Sequence, residues 1–399
     1  MPANRTGSGS RDEDHRRGDG LQKVTVEAPI TRIETPAGDE AWWVTGHPEA
    51  KFLLADRRIG MSHPHPETAG WYARDDVSGR PRGDSKSEYS EHALWRTAMT
   101  RVFSPRFFDG EIPYIEKKVH QLIDDMLALG GPLDLISHFT VPLCSDIMCR
   151  LLGVPAEDVS RFRDWTEEGA RTGDPQRSLG GIQRLMSYVA SIVGQRRREP
   201  RDDHITELIR AAESGDERPQ AGRVEKLLAG MLAFGRETPA SAIDRAVLQL
   251  VTHPDQLGML RNGAAPVDGA VEESLRMFRP PAATPHGLLR YANADVEFDD
   301  VRIARGDMTL IDIAVANFDD RVFADPMNFD ILRRPNPHLT FGHGFYMCNF
   351  AKLARSQLRI SIDGLTQRLP ELRLAVPVEE LRFKSHLRTG GLEQLPVTW

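Results

Sequence analysis

The segment Arg223–Thr252 constrains the fold more than any other, because its apolar residues recur over a wide arc at helical spacing. At about 1.5 Å per residue, such a helix is roughly 45 Å long, which is the width of the whole molecule. Gly235 and Pro239 lie inside it. Since proline lacks a backbone donor and crowds the preceding turn, we expect a kink at this point.

Shorter segments with the same periodicity lie on both sides of this helix. They are Glu111–Leu129, Val141–Leu152, Ile182–Arg198, His204–Ala212, Val267–Phe278 and Phe350–Leu369. Alternating segments typical of strands are Val24–Val26, Ile30–Ile33, Ala41–Thr45, Leu288–Tyr291, Val296–Phe298, Val301–Ile303 and Thr309–Ile313. We therefore predict a mainly α fold with minor β structure, formed as a single domain by residues 23–399. Residues 1–22 are polar, and we expect them to form a disordered tail.

Charge and hydropathy exclude several classes of protein. The chain has 51 basic and 58 acidic residues, so a general nucleic-acid binder is disfavoured. It contains no run of about 18 apolar residues and no apolar signal segment near its start, so we expect a soluble, cytoplasmic protein that does not associate with membranes. Three cysteines are too few for a disulfide framework, which favours a ligand or a nucleophile.

The segment around Cys348 carries the strongest chemical signal. Gly342 and Gly344 permit tight turns ahead of the cysteine, and a helix is predicted directly after it. The amide groups and the dipole at the start of that helix point toward the sulfur, which predicts a lowered thiol pKa and a stabilised thiolate. A thiolate held in this way suits an axial metal ligand, which pushes electron density toward an oxygen bound opposite it. The sequence therefore predicts Cys348 as a metal ligand.

This segment resembles the haem loop of the cytochrome P450 family in its soluble bacterial form. The family pattern is Phe-Gly-x-Gly-x-His/Arg-x-Cys-x-Gly, followed by Leu-Ala-Arg in the next helix. The matching positions are Phe341, Gly342, Gly344, Cys348 and Leu353-Ala354-Arg355. Two positions differ, since Tyr346 replaces the basic residue and Phe350 replaces the small one. The resemblance implies the cytochrome P450 fold, with haem b bound through Cys348, one cation fewer at a propionate, and a bulky ring beside the porphyrin.

Two further stretches match structural motifs of the family. Glu273-Ser274-Leu275-Arg276 matches Glu-x-x-Arg, whose i,i+3 spacing puts both charges on one helix face. The stretch Phe329–Arg333 resembles the family's meander, whose arginine joins that pair and supports the haem loop. The resemblance therefore implies that Glu273, Arg276 and Arg333 are structural rather than catalytic.

Other matches imply contacts to the haem propionates. His92 and Arg96 match His-x-x-x-Arg, whose i,i+4 spacing presents two donors from one helix face to an anion. By the same resemblance, Arg290 and His338 are further propionate donors. The phenol of Tyr346 can still donate one hydrogen bond in place of the lost cation.

Glu237 and Thr238 match the acid–alcohol pair of the family's central helix. Cleavage of dioxygen consumes two protons, and a hydroxyl backed by a carboxylate suits their delivery. The alternative is that Thr238 only bonds a carbonyl one turn back. The resemblance places substrate opposite Cys348, near the loop 61–90 and near small or apolar residues that suit a hydrophobic molecule. These pocket residues are Ala233, Phe234, Ala282, Ala283, Thr284 and Thr389.

The resemblance implies a haem-thiolate monooxygenase that hydroxylates, epoxidises or couples a hydrophobic intermediate of secondary metabolism, as in antibiotic biosynthesis. The chain is too short to include a flavin reductase, so ferredoxin and ferredoxin reductase are the expected electron donors. Some P450-like proteins have lost the haem and activate sugar-transferring enzymes, and the changes at Tyr346 and Phe350 keep this accessory role open. Retention of Cys348 and of the Glu237-Thr238 pair favours the enzyme.

Overall fold

The computed structural model describes residues 28–74, 84–171, 174–213, 222–279, 286–384, 387 and 390–399. The predicted tail, residues 1–22, and the predicted strand Val24–Val26 lie outside these ranges. Part of the loop that we placed over the substrate also lies outside them, at residues 75–83.

The fold is mainly helical, as the sequence predicts. Its helices are α1 His47–Ala55, α2 Glu88–Val102, α3 Pro105–Leu129, α4 Val141–Leu152, α5 Val159–Gly169, α6 Pro175–Arg198, α7 His204–Glu213, α8 Arg223–Thr252, α9 Pro254–Arg261, α10 Val267–Met277, α11 Ile313–Ala316 and α12 Ala351–Arg368. A π-helical turn, Ile136–Thr140, precedes α4. Helices α3 and α6 begin one to two turns before their predicted starts. In both, the residue before an N-terminal proline caps the helix: Ser104 accepts the amide of Phe107, and Asp174 accepts that of Arg177.

Helix α8 lies at the centre of the helical part and packs against α4, α6, α10 and α12. It is continuous from Arg223 to Thr252, so the predicted extent is confirmed and Gly235 and Pro239 do not interrupt it. Its buried residues belong to one large apolar core that also includes α3, α4 and α12. A continuous helix through the core fixes the middle of α8 relative to the start of α12, where Cys348 is found.

The β structure lies beside the helical part in small sheets. The strands are β1 Ile30–Glu34, β2 Glu40–Val44, β3 Ile59–Gly60, β4 Leu133–Asp134, β5 Leu288–Ala292, β6 Val296–Phe298, β7 Val301–Ile303, β8 Met308–Ile311, β9 Arg373–Leu374 and β10 Pro396–Thr398. The largest sheet has the order β1-β2-β8-β5-β3. In it β2 and β8 are parallel, with Trp43 opposite Leu310, and the other pairs are antiparallel. This sheet pairs an N-terminal hairpin with strands from the last third of the chain.

Asp244 is an acidic residue inside the core, on helix α8. It is 4% exposed, and one of its carboxylate oxygens, Oδ1, has no hydrogen-bond partner among the described residues. Burial raises its pKa to about 8, although a hydrogen bond with Thr140 and the charge of Lys384 act in the opposite direction. The carboxyl is therefore neutral in the folded protein at neutral pH and ionised in the unfolded chain.

We expect Asp244→Asn to remove a pH dependence of stability. Because the folded pKa is raised from 3.8 to about 8, the native chain loses stability as pH rises through that window. At about 1.4 kcal/mol per pKa unit, the loss is of order 5 kcal/mol between pH 4 and pH 8. Urea unfolding of both proteins at pH 4 and pH 8 measures it. Equal pH slopes for the two proteins would contradict the assignment.

Within the described part of the chain, none of the helices combines the length and the apolarity that crossing a bilayer requires.

Candidate functional site

Cys348 lies between a short turn, Gly344–Tyr346, and the start of α12. The turn is closed by the Cys348 amide, which donates to the carbonyl of Phe341 at 2.8 Å. Gly344 has φ +67°, and a Cβ atom on it would lie 2.7 Å from the Cα atom of Ala55. This loop therefore needs glycine at position 344 to pack on the end of α1.

Cys348 is the exposed cysteine of the chain, whereas Cys144 and Cys149 are buried. The backbone amide of Phe350, at the start of α12, donates a hydrogen bond to the sulfur of Cys348, as the helix-start interpretation requires. Desolvation by the surrounding protein nevertheless outweighs this bond and raises the thiol pKa. The predicted lowering of the pKa is therefore wrong for the protein alone. A bound metal cation would have to supply the stabilisation of the thiolate.

Helix α2 presents His92 and Arg96 to this loop. Nη1 of Arg96 donates to the carbonyl oxygens of Phe345 and Met347, at 3.2 and 3.0 Å. Nδ1 of His92 is buried and has no hydrogen-bond partner among the described residues. Burial lowers the pKa of His92, and the charges of Arg96 and Arg290 lower it further. Arg96 thus holds the loop in place, and Nδ1 of His92 is left without a hydrogen-bond partner among the described residues.

Tyr346 and Arg290 lie together beside His92. The guanidinium carbon of Arg290 is 5.5 Å from the centre of the Tyr346 ring, and the rings of Tyr346 and His92 are 4.5 Å apart. The Tyr346 hydroxyl donates a short hydrogen bond to Glu88. In this structure the hydroxyl is thus engaged by a protein carboxylate, whereas we had assigned it to a propionate.

His338 does not join this cluster. Its Nε2 bonds Oε2 of Glu272 at 3.0 Å, and its Nδ1 accepts the amide of Thr340 at 3.3 Å. Glu272 also accepts two bonds from Arg355 of α12, at 2.7 and 2.9 Å. Both ring nitrogens of His338 are therefore engaged by protein atoms ahead of Cys348 in this structure, and its role as a propionate donor stays a prediction.

The structure brings Glu273, Arg276 and Arg333 together. The Glu273 carboxylate accepts bonds from Arg276 at 2.8 and 2.9 Å and from Arg333 at 3.1 Å. The Glu273 and Arg276 side chains are fully buried. Arg276 also donates to the carbonyl of Asn317, which in turn contacts the segment leading to Cys348 through Leu339. This arrangement links α10 to the cysteine loop.

Glu273→Ala is expected to lower the free energy of unfolding by about 3–5 kcal/mol, because it leaves two buried guanidinium groups without a counter-charge. Urea denaturation measures the loss. Glu40→Ala is the matched control, since the Glu40–Arg32 pair is exposed and contributes about 0–1 kcal/mol. Similar losses for the two variants would show that the buried triad does not stabilise the fold.

Glu237 and Thr238 lie half-buried in the middle of α8. Oε1 of Glu237 accepts a bond from Arg236 at 2.7 Å, so the acid is fixed by its neighbour. The Thr238 hydroxyl makes no hydrogen bond with the described residues, and the alternative bond to a carbonyl one turn back is not seen. Phe234 is 59% exposed although it lies in the middle of the central helix, so its ring faces open space.

The remaining pocket residues are only partly described. Ala233 is half-buried on α8, next to Phe234, whereas Ala282, Ala283, Thr284 and Thr389 lie outside the described residues. The C-terminal loop does approach α8, because a Cβ atom on Gly391 would lie 3.4 Å from Oγ of Ser241. Ser241 is one turn beyond Thr238.

The ring of Phe350 packs against other aromatic rings beside the start of α12. Its ring lies 5.4 Å from that of Phe103 and 5.6 Å from that of Phe108, in an aromatic cluster between α2, α3 and α12. Phe350 therefore packs against the apolar core, and the bulky ring beside a porphyrin stays a prediction.

The residues present fit a haem. They offer one exposed sulfur, an unpartnered buried ring nitrogen on His92, and two guanidinium groups, Arg96 and Arg290, near that nitrogen. A soft anionic sulfur is a ligand for iron, and the nitrogen donors suit carboxylates such as propionates.

Sequence reasoning missed two acids that bind the predicted residues. Glu88 binds Tyr346, and Glu272 binds His338. Glu88 is four residues before His92 and eight before Arg96 on the same helix, so helical spacing alone could have found it. Glu272 adjoins Glu273, and only the packed structure distinguishes the two.

Comparison with known proteins gives matches along nearly the whole chain. Residues 266–373 match the sequence model of the Cytochrome P450 family. Pentalenolactone synthase of Streptomyces exfoliatus is 36% identical over 95% of this chain and 95% of its own. Mycinamicin IV hydroxylase/epoxidase of Micromonospora griseorubida is 31% identical over 93% and 92%. The structure of substrate-free cytochrome P450 PimD, a polyene macrolide antibiotic pimaricin epoxidase, has a TM-score of 0.78 at 37% identity and covers 93% of both chains.

Proposed function

The chain belongs to the cytochrome P450 family and is a P450 monooxygenase of the kind found in bacterial secondary metabolism, and from this premise we propose that it oxidises a hydrophobic intermediate at a haem bound through Cys348. The observation that carries the proposal is the exposed sulfur of Cys348 at the start of α12, in a loop held by Arg96. The oxidation is a hydroxylation, an epoxidation or an oxidative coupling.

Haem b, when bound, supplies the iron at which dioxygen is activated. Cys348 would hold the haem iron through its sulfur, which the Phe350 amide orients. His92, Arg96 and Arg290 are proposed to hold the propionates, because they are the donors that converge beside the loop. Tyr346 and His338 remain proposed propionate contacts, and we propose that Glu88 and Glu272, which bond them in this structure, position them beside the loop.

Glu237 and Thr238 are proposed to deliver protons on the side opposite Cys348. The Arg236–Glu237 bond holds the carboxylate in place, and the Thr238 hydroxyl remains available to both accept and donate. Glu237 would thus serve as the source of protons and the Thr238 hydroxyl as the group that hands them on. The exposed ring of Phe234 lies one turn earlier on α8. We propose that it limits the size of the substrate that can bind next to Glu237 and Thr238.

Substrate and electron donor are proposed from the family. The names of similar proteins include a polyene macrolide antibiotic pimaricin epoxidase and a vitamin D3 dihydroxylase. Ala233 and Phe234, together with Ala282, Ala283, Thr284 and Thr389, are proposed to line the pocket. Bacterial members of the family typically take electrons from a ferredoxin and its reductase, and we propose the same donors here.

The test is the absorption spectrum of the purified protein, reduced under carbon monoxide. A stoichiometric haem with the red-shifted Soret band of a thiolate ligand supports the proposal. A polyene macrolide and vitamin D3, added as probes, should then shift the ferric spin state if they enter the pocket. A colourless protein that takes up no added haemin would overturn the proposal and favour the haem-free accessory role.

A further inference from the structure

Glu88 is a carboxylate whose negative charge the proposed function does not use. It begins α2 and accepts the backbone amides of Met61 and Ser62, both at 2.7 Å, as well as the Tyr346 hydroxyl. All three donors are uncharged, and no ion pair to Glu88 occurs among the described residues. Its negative charge is therefore held firmly in place without being neutralised.

The hydrogen bond with Tyr346 shows where the charge of Glu88 lies. The Tyr346 ring that binds Glu88 is the ring that contacts His92 and lies beneath Arg290. The charge of Glu88 acts on His92 in the direction opposite to those of Arg96 and Arg290. Glu88 thus lies among the donors that we propose for the haem propionates. The family pattern has a basic residue at position 346, whereas Tyr346 adds no positive charge beside Glu88.

We infer that Glu88 is an anionic group of the protein at the propionate edge of the haem, and that it holds the reduction potential of the haem low. Ferric haem carries one more positive charge than ferrous haem, so a fixed anion nearby stabilises the ferric form. A basic residue at position 346 would offset the negative charge of Glu88, whereas the tyrosine only donates a hydrogen bond to its carboxylate. The inference rests on the proposed function, because it needs a bound haem.

The experiment is a spectroelectrochemical titration of the haem-loaded protein and four variants. Glu88→Gln removes the charge and should shift the potential to a more positive value. Glu88→Asp keeps the charge and should stay close to the parent protein. Glu40→Gln removes an exposed acid on β2, outside this cluster, and is the matched control. Tyr346→Arg leaves Glu88 intact but adds a cation beside it, which should also shift the potential upward.

The outcomes separate this inference from the proposed function. A parent protein without haem contradicts the proposed function. A parent protein with a normal thiolate spectrum, together with an unchanged potential in Glu88→Gln, overturns only the role of Glu88. A shift in Glu88→Asp as large as that in Glu88→Gln would also overturn it, since geometry rather than charge would then be responsible. If Glu88→Gln does not fold, Tyr346→Arg decides, and an unchanged or lowered potential in that variant counts against the inference.

Discussion

Cys348→Ser is expected to abolish the red-shifted Soret band of the reduced carbon monoxide complex and to reduce product formation to background. A serine hydroxyl is a far weaker acid than a thiol, so it stays neutral and does not donate electron density to the iron as a thiolate does. The loop itself should persist, because the backbone bond from residue 348 to Phe341 and the packing of Gly344 on Ala55 do not involve the sulfur.

The matched control for this variant is Cys149→Ala, which removes a buried cysteine away from the loop. Burial raises the thiol pKa of Cys149 to about 11, so it has no tendency to act as a thiolate. The control should retain the parent spectrum. If Cys348→Ser also retains it, another residue ligates the iron.

Thr238→Ala is expected to uncouple the consumption of reductant from the formation of product. Without the hydroxyl, reductant should still be consumed, while product formation falls by roughly tenfold to a hundredfold, because positioned proton transfer typically contributes at least this much. Side products of oxygen reduction should account for the electrons that are lost. The measurement is the ratio of product formed to reductant oxidised, with a substrate found by its spin-state shift.

Two variants on the same helix sharpen this test. Thr238→Ser keeps the hydroxyl and should restore much of the coupling. Ser241→Ala removes a hydroxyl one turn further along α8, beside Gly391, and should leave the coupling unchanged. Full coupling in Thr238→Ala would mean that water or the substrate supplies the proton path.

The sequence predicts the helices well because burial imposes a period that is visible in the chain. The extents of α4 and α8 are confirmed to the residue. Where prediction falls short, at the starts of α3 and α6, the first turns carry little apolar signal and are fixed by a capping side chain and a proline. A search for caps beside the apolar period would have extended both helices.

The site is less predictable from sequence, for a physical reason. The cysteine loop is continuous in the chain, so its glycines and its cysteine can be recognised directly. The partners of Tyr346 and His338 are carboxylates far away in sequence. Helical spacing from His92 and Arg96 can point to Glu88, but only packing selects Glu272 from the 58 acidic residues. The pKa of Cys348 is also hard to predict from sequence. Sequence can indicate the lowering of the pKa by the start of the helix, but not the desolvation by the folded loop, which raises it.

The parallel pairing of β2 with β8 has a consequence for synthesis of the chain. Trp43 emerges from the ribosome early, but Leu310, its neighbour in the sheet, is translated only after most of the helices. One edge of the N-terminal hairpin, that of β2, therefore stays without its β8 partner while the helical part is synthesised and folds. Closure of the sheet is a late, long-range event, and loop-closure entropy makes such events slow.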